Sequence, residues 1–167
     1  MGVRRLVVLF GVVVLSMACT ACTWSDDGGD GTEYVDWHGS NAEYHAAIPK
    51  FPFPLPEGID FPADLPYNPP QDDNTLFWVG QGELTTYLFA ECAFLSVVVA
   101  NESVDFDAAM SALDSVEDVH NAPFYRMYVR EIGPPFRLVI NRARDGDFSV
   151  LNEYFQHACV GGWMGFK

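Results

Sequence analysis

Gly82-Glu83-Leu84-Thr85-Thr86-Tyr87-Leu88-Phe89-Ala90-Glu91-Cys92-Ala93-Phe94-Leu95-Ser96-Val97-Val98-Val99-Ala100-Asn101 is the stretch that decides the fold. Leu84, Leu88, Cys92, Leu95 and Val99 recur at three- and four-residue spacing, which places one apolar stripe along a helix. Val97-Val98-Val99 is β-branched and lowers helix propensity slightly, but the stripe is too long for a typical strand. Gly80-Gln81-Gly82 reads as the loop before this helix and not as a phosphate-binding or dinucleotide fingerprint.

Downstream, Asp105 can cap a second helix whose buried face is Phe106, Ala109, Met110, Leu113 and Val116. Asn121 and Pro123 open a third helix through Phe124, Met127, Tyr128 and Ile132, which Gly133-Pro134-Pro135 ends. A fourth helix is expected from Pro135 to Arg144. A fifth, with the stripe Phe148, Leu151, Phe155 and Cys159, follows Asp145-Gly146. The rival for residues 136–155 is a β-hairpin turning at Asp145-Gly146, but strict alternation fails on both sides of the turn. Short loops between such helices imply an all-α fold, a small antiparallel bundle over 76–167.

Upstream lies a proline-rich stretch, where Pro49, Pro52, Pro54, Pro56, Pro62, Pro66, Pro69 and Pro70 hold eight of the chain's 11 prolines. Each fixes φ near −65° and removes a backbone donor, which leaves an extended arm over 49–75. A mere spacer has no use for Phe51, Phe53, Leu55, Ile59, Phe61, Leu65 and Tyr67. Left in water, such side chains forgo about 1.5 to 3 kcal/mol each, so the arm is expected to wrap the domain. Docking into an aromatic groove of a partner is the alternative.

The N-terminus has a different logic. Arg4 and Arg5 precede an uncharged run from Leu6 to Ala18, 13 residues or about 20 Å as a helix, too short for a permanent span of about 20 residues. The run ends at Leu15-Ser16-Met17-Ala18-Cys19, which resembles a bacterial lipoprotein signal with its lipobox, although Ser16 stands where leucine is usual. The resemblance implies cleavage before Cys19 and a diacylglyceryl group on its sulfur. Cys22 is the alternative acceptor. On this basis residues 1–18 are a signal peptide and 19–48 a lipid-anchored tether with a less defined segment. Within it, Asp26, Asp27 and Asp30 repel one another, and a short helix is expected around Asn41 to Ala47. As a whole the chain resembles the uncharacterised small lipoproteins of GC-rich Gram-positive bacteria. This implies a location outside the cytoplasm, on the outer face of the membrane.

Removing Arg4 and Arg5 with the signal leaves seven basic residues against 23 acidic ones, a formal charge of −16. A chain of that charge is repelled by nucleic acid and by anionic surfaces at long range, so nucleic-acid partners are excluded. The membrane is reached through the lipid, and an envelope protein or a wall polymer is the expected partner. Cys92 and Cys159 are then the two remaining cysteines, and in oxidising surroundings a structural bridge between them is expected.

Reaction motifs are scarce. His38, His45, His120 and His157 show no H-E-x-x-H spacing, and His38 and His45 among Asp36 and Glu43 make at most a loose metal site. No metal site and no cofactor is assigned. Asp114, Glu117 and Asp118 could supply an acid and a base for glycoside chemistry, but such spacing usually marks a solvated helix face. Arg126, Arg130, Arg137, Arg142 and Arg144 hold five of the seven basic residues. They either neutralise acidic helices or form a basic patch for lipid phosphates or an anionic wall polymer. Together these features suggest a binding or interaction module rather than an enzyme, with a wall-processing hydrolase as the alternative.

Overall fold

The computed structural model describes residues 33–66, 75–129, 134–161, 164 and 166. The signal, the acidic tether, Cys19, Cys22, Tyr67, Pro69, Pro70, Arg130 and Ile132 lie outside the described residues.

The chain folds as an all-α bundle. A two-residue strand β1 (Tyr34–Val35) leads into α1 (Trp37–Ala47) and a 3-10 turn (Ile48–Lys50). After the arm comes β2 (Phe77–Trp78), antiparallel to β1 with Tyr34 opposite Trp78 and Val35 opposite Phe77. Then follow α2 (Gln81–Asn101), α3 (Phe106–Asn121), α4 (Pro123–Tyr128), α5 (Pro134–Arg144) and α6 (Ser149–Phe155), which runs into a π turn (Gln156–Val160).

α2 is the central element and packs most extensively on α3 and α1. The single stripe expected from its sequence understates the burial. Leu84 through Tyr87 and Phe89 through Leu95 are all buried, while Leu88 and Val99 are only half-buried. A helix that is apolar nearly all round must be enclosed, and α1, α3, α4 and α6 enclose it. By length and composition α2 could also cross a membrane, but 67% of its apolar window is buried by its own neighbours.

Local chemistry sets the helix ends. Asp36 accepts from the Gly39 N–H at 2.7 Å and starts α1 at Trp37, four residues before the helix expected around Asn41. Asp105 accepts from Ala108 N–H at 3.0 Å and starts α3, as its sequence predicts. Pro123 opens α4, which stops at Tyr128. One expected core residue is displaced: Phe106, the first residue of α3, is 47% exposed, with an edge-on contact to Phe148.

α2 begins without a capping side chain of its own, at a left-handed Gly80. Its first N–H groups are instead satisfied from α1, where the Glu43 carboxylate accepts from Gly80 at 3.0 Å and Gly82 at 3.1 Å. Such contact requires close approach, and a Cβ at Gly82 would lie 2.0 Å from the Ser40 carbonyl oxygen. Gly82→Ala is therefore expected to push α1 off α2 and destabilise the fold by about 3 kcal/mol. An unchanged urea midpoint for that variant would contradict this packing.

The proline-rich arm lies on the domain. Phe51, Phe53, Leu55, Ile59 and Phe61 pack against the core, and Leu65 is buried. Phe51 meets Tyr87 edge-on at 5.1 Å, and Phe61 contacts Phe89 at 5.4 Å. The arm is pinned where Asn41 accepts from Leu65 N–H at 2.9 Å and donates to Asp64 at 2.9 Å, while Tyr44 donates to the Pro62 carbonyl at 3.2 Å. Hydrogen bonds from Asn41 and then His45 hold the Asp64 carboxyl below its usual range.

A disulfide joins Cys92, in the middle of α2, to Cys159 in the π turn, with the Cα atoms 5.5 Å apart and 67 positions between them in sequence. Both cysteines are buried. The bridge anchors the C-terminal end of the bundle to its central helix, as expected from the cysteines alone.

Candidate functional site

Glu91 is the one charged side chain of α2 between Glu83 and its C-terminus, and it is 2% exposed. A carboxylate at such a place has a large desolvation cost unless donors surround it. Three do, each from a different helix. Tyr125 of α4 donates to Oε2 at 2.7 Å and Tyr154 of α6 to Oε1 at 2.7 Å. His120, in the last turn of α3, places Nε2 3.1 Å from Oε2. Aromatic rings fix the imidazole in place: it stacks on Tyr125 at 4.8 Å and lies 4.4 Å from Phe136 of α5, which in turn meets Tyr154 edge-on.

The electrostatics follow from this cage. Burial alone raises the Glu91 carboxyl, but the hydrogen bond and charge of His120, with the hydrogen bonds from Tyr154 and Tyr125, outweigh it and leave the group below its usual range. Burial, and then the Glu91 charge, push both tyrosines well above the usual phenol range, so they remain donors. An ionised carboxylate only accepts, so Nε2 of His120 must carry its proton. Nδ1 has no hydrogen-bond partner among the described residues.

His120 also lines a cavity of about 220 Å³ between α3, α4 and α5. Glu117, Asn121, Arg126 and Arg137 form the polar part of its lining, Glu117 being also a partner of Arg144, and Val129, Phe136 and Ile140 form the apolar part. Arg126 and Arg137 are exposed, and neither forms an ion pair among the described residues. A second hollow, of about 210 Å³, lies across Glu91 and Tyr154 and is bounded by Leu88, Cys92, His157 and Met164.

The five arginines thus divide. Arg126 and Arg137 meet at the cavity, Arg144 bridges to Asp114 and Glu117 on α3, and Arg142 lies 3.8 Å from Asp147. A single five-residue patch is not formed by the described members. Asp114 and Glu117 are held by Arg144, and Asp118 is exposed. The loose metal candidates also have other tasks: Asp36 caps α1, Glu43 caps α2 and His45 bonds Asp64. Among the described residues no group of three or more His, Cys, Asp or Glu side chains is gathered as for a metal ion.

Sequence reading passes over Glu91, Tyr125 and Tyr154. One signal for Glu91 was present, a lone acid inside an otherwise uncharged run of nearly twenty residues. Its partners lie 34 and 63 positions away for the tyrosines, beyond the reach of any local pattern. No family model matches the chain, and no curated protein or solved structure matches it significantly.

Proposed function

We propose that the protein is a membrane-anchored lipoprotein on the outer face of the cell membrane, whose helical domain is a binding module for an anionic component of the envelope. The observation that carries this reading is that Arg126 and Arg137, without an ion-pair partner among the described residues, both line the cavity of His120, whose one acid, Glu117, is neutralised by Arg144. In a chain with 23 acidic residues, two exposed cations at one hollow favour an anion there over general surface charge. Asp114 and Glu117, the acid and base candidates of a hydrolase, are both engaged by Arg144, which favours binding over hydrolysis. The anchor reading rests on Arg4, Arg5, the apolar run and Cys19, with Cys22 as the alternative acceptor. Two acyl chains, at about 0.8 kcal/mol per buried methylene, suffice for stable attachment.

Both halves can be tested together. Labelling with a fatty-acid precursor is expected to mark the wild type, and Cys19→Ala with Cys22→Ala is expected to remove the label. That non-lipidated variant should retain association with isolated envelopes through the domain. Adding Arg126→Glu with Arg137→Glu should abolish it. Undiminished label in the cysteine variant would sink the anchor, and association indifferent to the arginines would sink the binding module.

A further inference from the structure

Resting on that binding reading, the geometry of the cavity can be taken one step further, to the class of its ligand. We propose that the cavity binds a phosphodiester bearing a hydrocarbon group, as in a lipid headgroup, and that His120 takes up a proton at Nδ1 to complete the grip, so that ligand and proton bind together.

The donors come from three helices: His120 and Asn121 near the end of α3, Arg126 on α4 and Arg137 on α5. Donors converging from separate elements match the tetrahedral oxygens of a phosphate better than the plane of one carboxylate, which a single arginine fork can satisfy. The apolar part of the lining, Val129, Phe136 and Ile140, favours a diester with hydrocarbon over a hydrophilic one. Each methylene buried there is worth roughly fourfold in affinity.

The proton enters through the geometry behind the cavity. Glu91 on α2 fixes the Nε2 proton of His120, and Tyr125 on α4 and Tyr154 on α6 complete the carboxylate's shell. Nδ1, without a partner among the described residues, is therefore an acceptor in the neutral ring and becomes a donor only when the ring is charged. The charged groups facing the ring are Glu91 behind it and, around the cavity, Arg126, Arg137 and Glu117, the last on the same helix as His120 and already paired with Arg144. Glu91 favours a charge on the ring, and the two arginines oppose it. An anion between them and the ring reverses that sign. Glu91 acts through His120 and is a positioning residue.

Calorimetry on the full chain in an uncharged detergent, at pH near neutrality and in buffers of differing ionisation enthalpy, tests this with two soluble probes that do not titrate in the range. Dibutyl phosphate represents the lipid-like diester, and bis(glycerol) phosphate the hydrophilic diester of a wall polymer. Dibutyl phosphate is expected to bind at least about tenfold tighter than the glycerol diester, the effect of two buried methylenes, and to draw protons from the buffer. Arg126→Gln with Arg137→Gln should lose that binding, and these exposed substitutions should leave melting unchanged. His120→Gln should bind more weakly and take up no proton. Absence of dibutyl phosphate binding, equal or tighter binding of the glycerol diester, or proton uptake that persists in His120→Gln would each overturn the proposal. Failure here with envelope association still dependent on Arg126 and Arg137 leaves the binding module standing with a different ligand. Dibutyl phosphate binding without envelope association leaves the site standing and removes the function.

Discussion

Reduction of the Cys92–Cys159 bridge is expected to lower the unfolding free energy by about 4 kcal/mol. The bridge closes 67 positions between the centre of α2 and the π turn after α6. In the unfolded chain that closure removes conformational freedom, whereas in the folded chain both sulfurs are already buried among core side chains. A shift of that size should lower the melting temperature by roughly 15 °C for a domain of this length. Melting with and without reductant, and of Cys92→Ala with Cys159→Ala, is the check. A shift of only a few degrees would mean that α6 and the π turn hold to α2 without help. The bridge also adjoins Glu91 in sequence and borders the same hollow, so losses at the two sites should not add.

The second large effect is expected at Glu91 itself. Glu91→Ala removes the acceptor of three buried donors and leaves His120, Tyr125 and Tyr154 without it, for a loss of about 3 to 5 kcal/mol. Glu91→Gln keeps the shape but sets an amide N–H against one of those donors, and should cost about 2 kcal/mol. Replacing one tyrosine, Tyr125→Phe or Tyr154→Phe, removes a donor without stranding the carboxylate and should cost less. The pH dependence has a definite sign. The folded-state value of Glu91 lies below the ordinary 4.5, so its contribution is fully present above that pH and is lost as pH falls through the lower folded value. The stability gap between wild type and Glu91→Gln, followed by urea denaturation, should hold at neutral pH and narrow in acid. A gap that widens as pH falls below 4.5 would contradict an ionised Glu91.

The elements that were legible in the sequence owe this to local signals. The period of Leu84, Leu88, Cys92 and Leu95 gave α2, Asp105 gave the start of α3, and Pro123 the start of α4. The bridge followed from the two cysteines left in the helical region. What escaped depends on distant partners. Glu43 stands out in the sequence only as a neighbour of His38 and His45 in a loose metal site, yet it caps a helix whose first residue lies 38 positions later. The short pairing of Tyr34 and Val35 with Trp78 and Phe77 involves only two residues on each side, too few for alternation to show. Period alone assigns Phe106 to the core, but it is the first residue of α3, and period does not reveal how far packing extends toward a helix end. The arginines were recognised as a group, while their division between ion pairs and a cavity depends on how α3, α4 and α5 meet.

A buried, ionised Glu91 that fixes the protonation of His120 turns the ring's other nitrogen to use. Nitrogen-15 resonances of the His120 ring, followed against pH in the ligand-free protein, test it most directly. A proton is expected on Nε2 throughout the range in which the protein is folded, with Nδ1 the nitrogen that gains and loses its proton. A neutral ring protonated at Nδ1 and bare at Nε2 would contradict it.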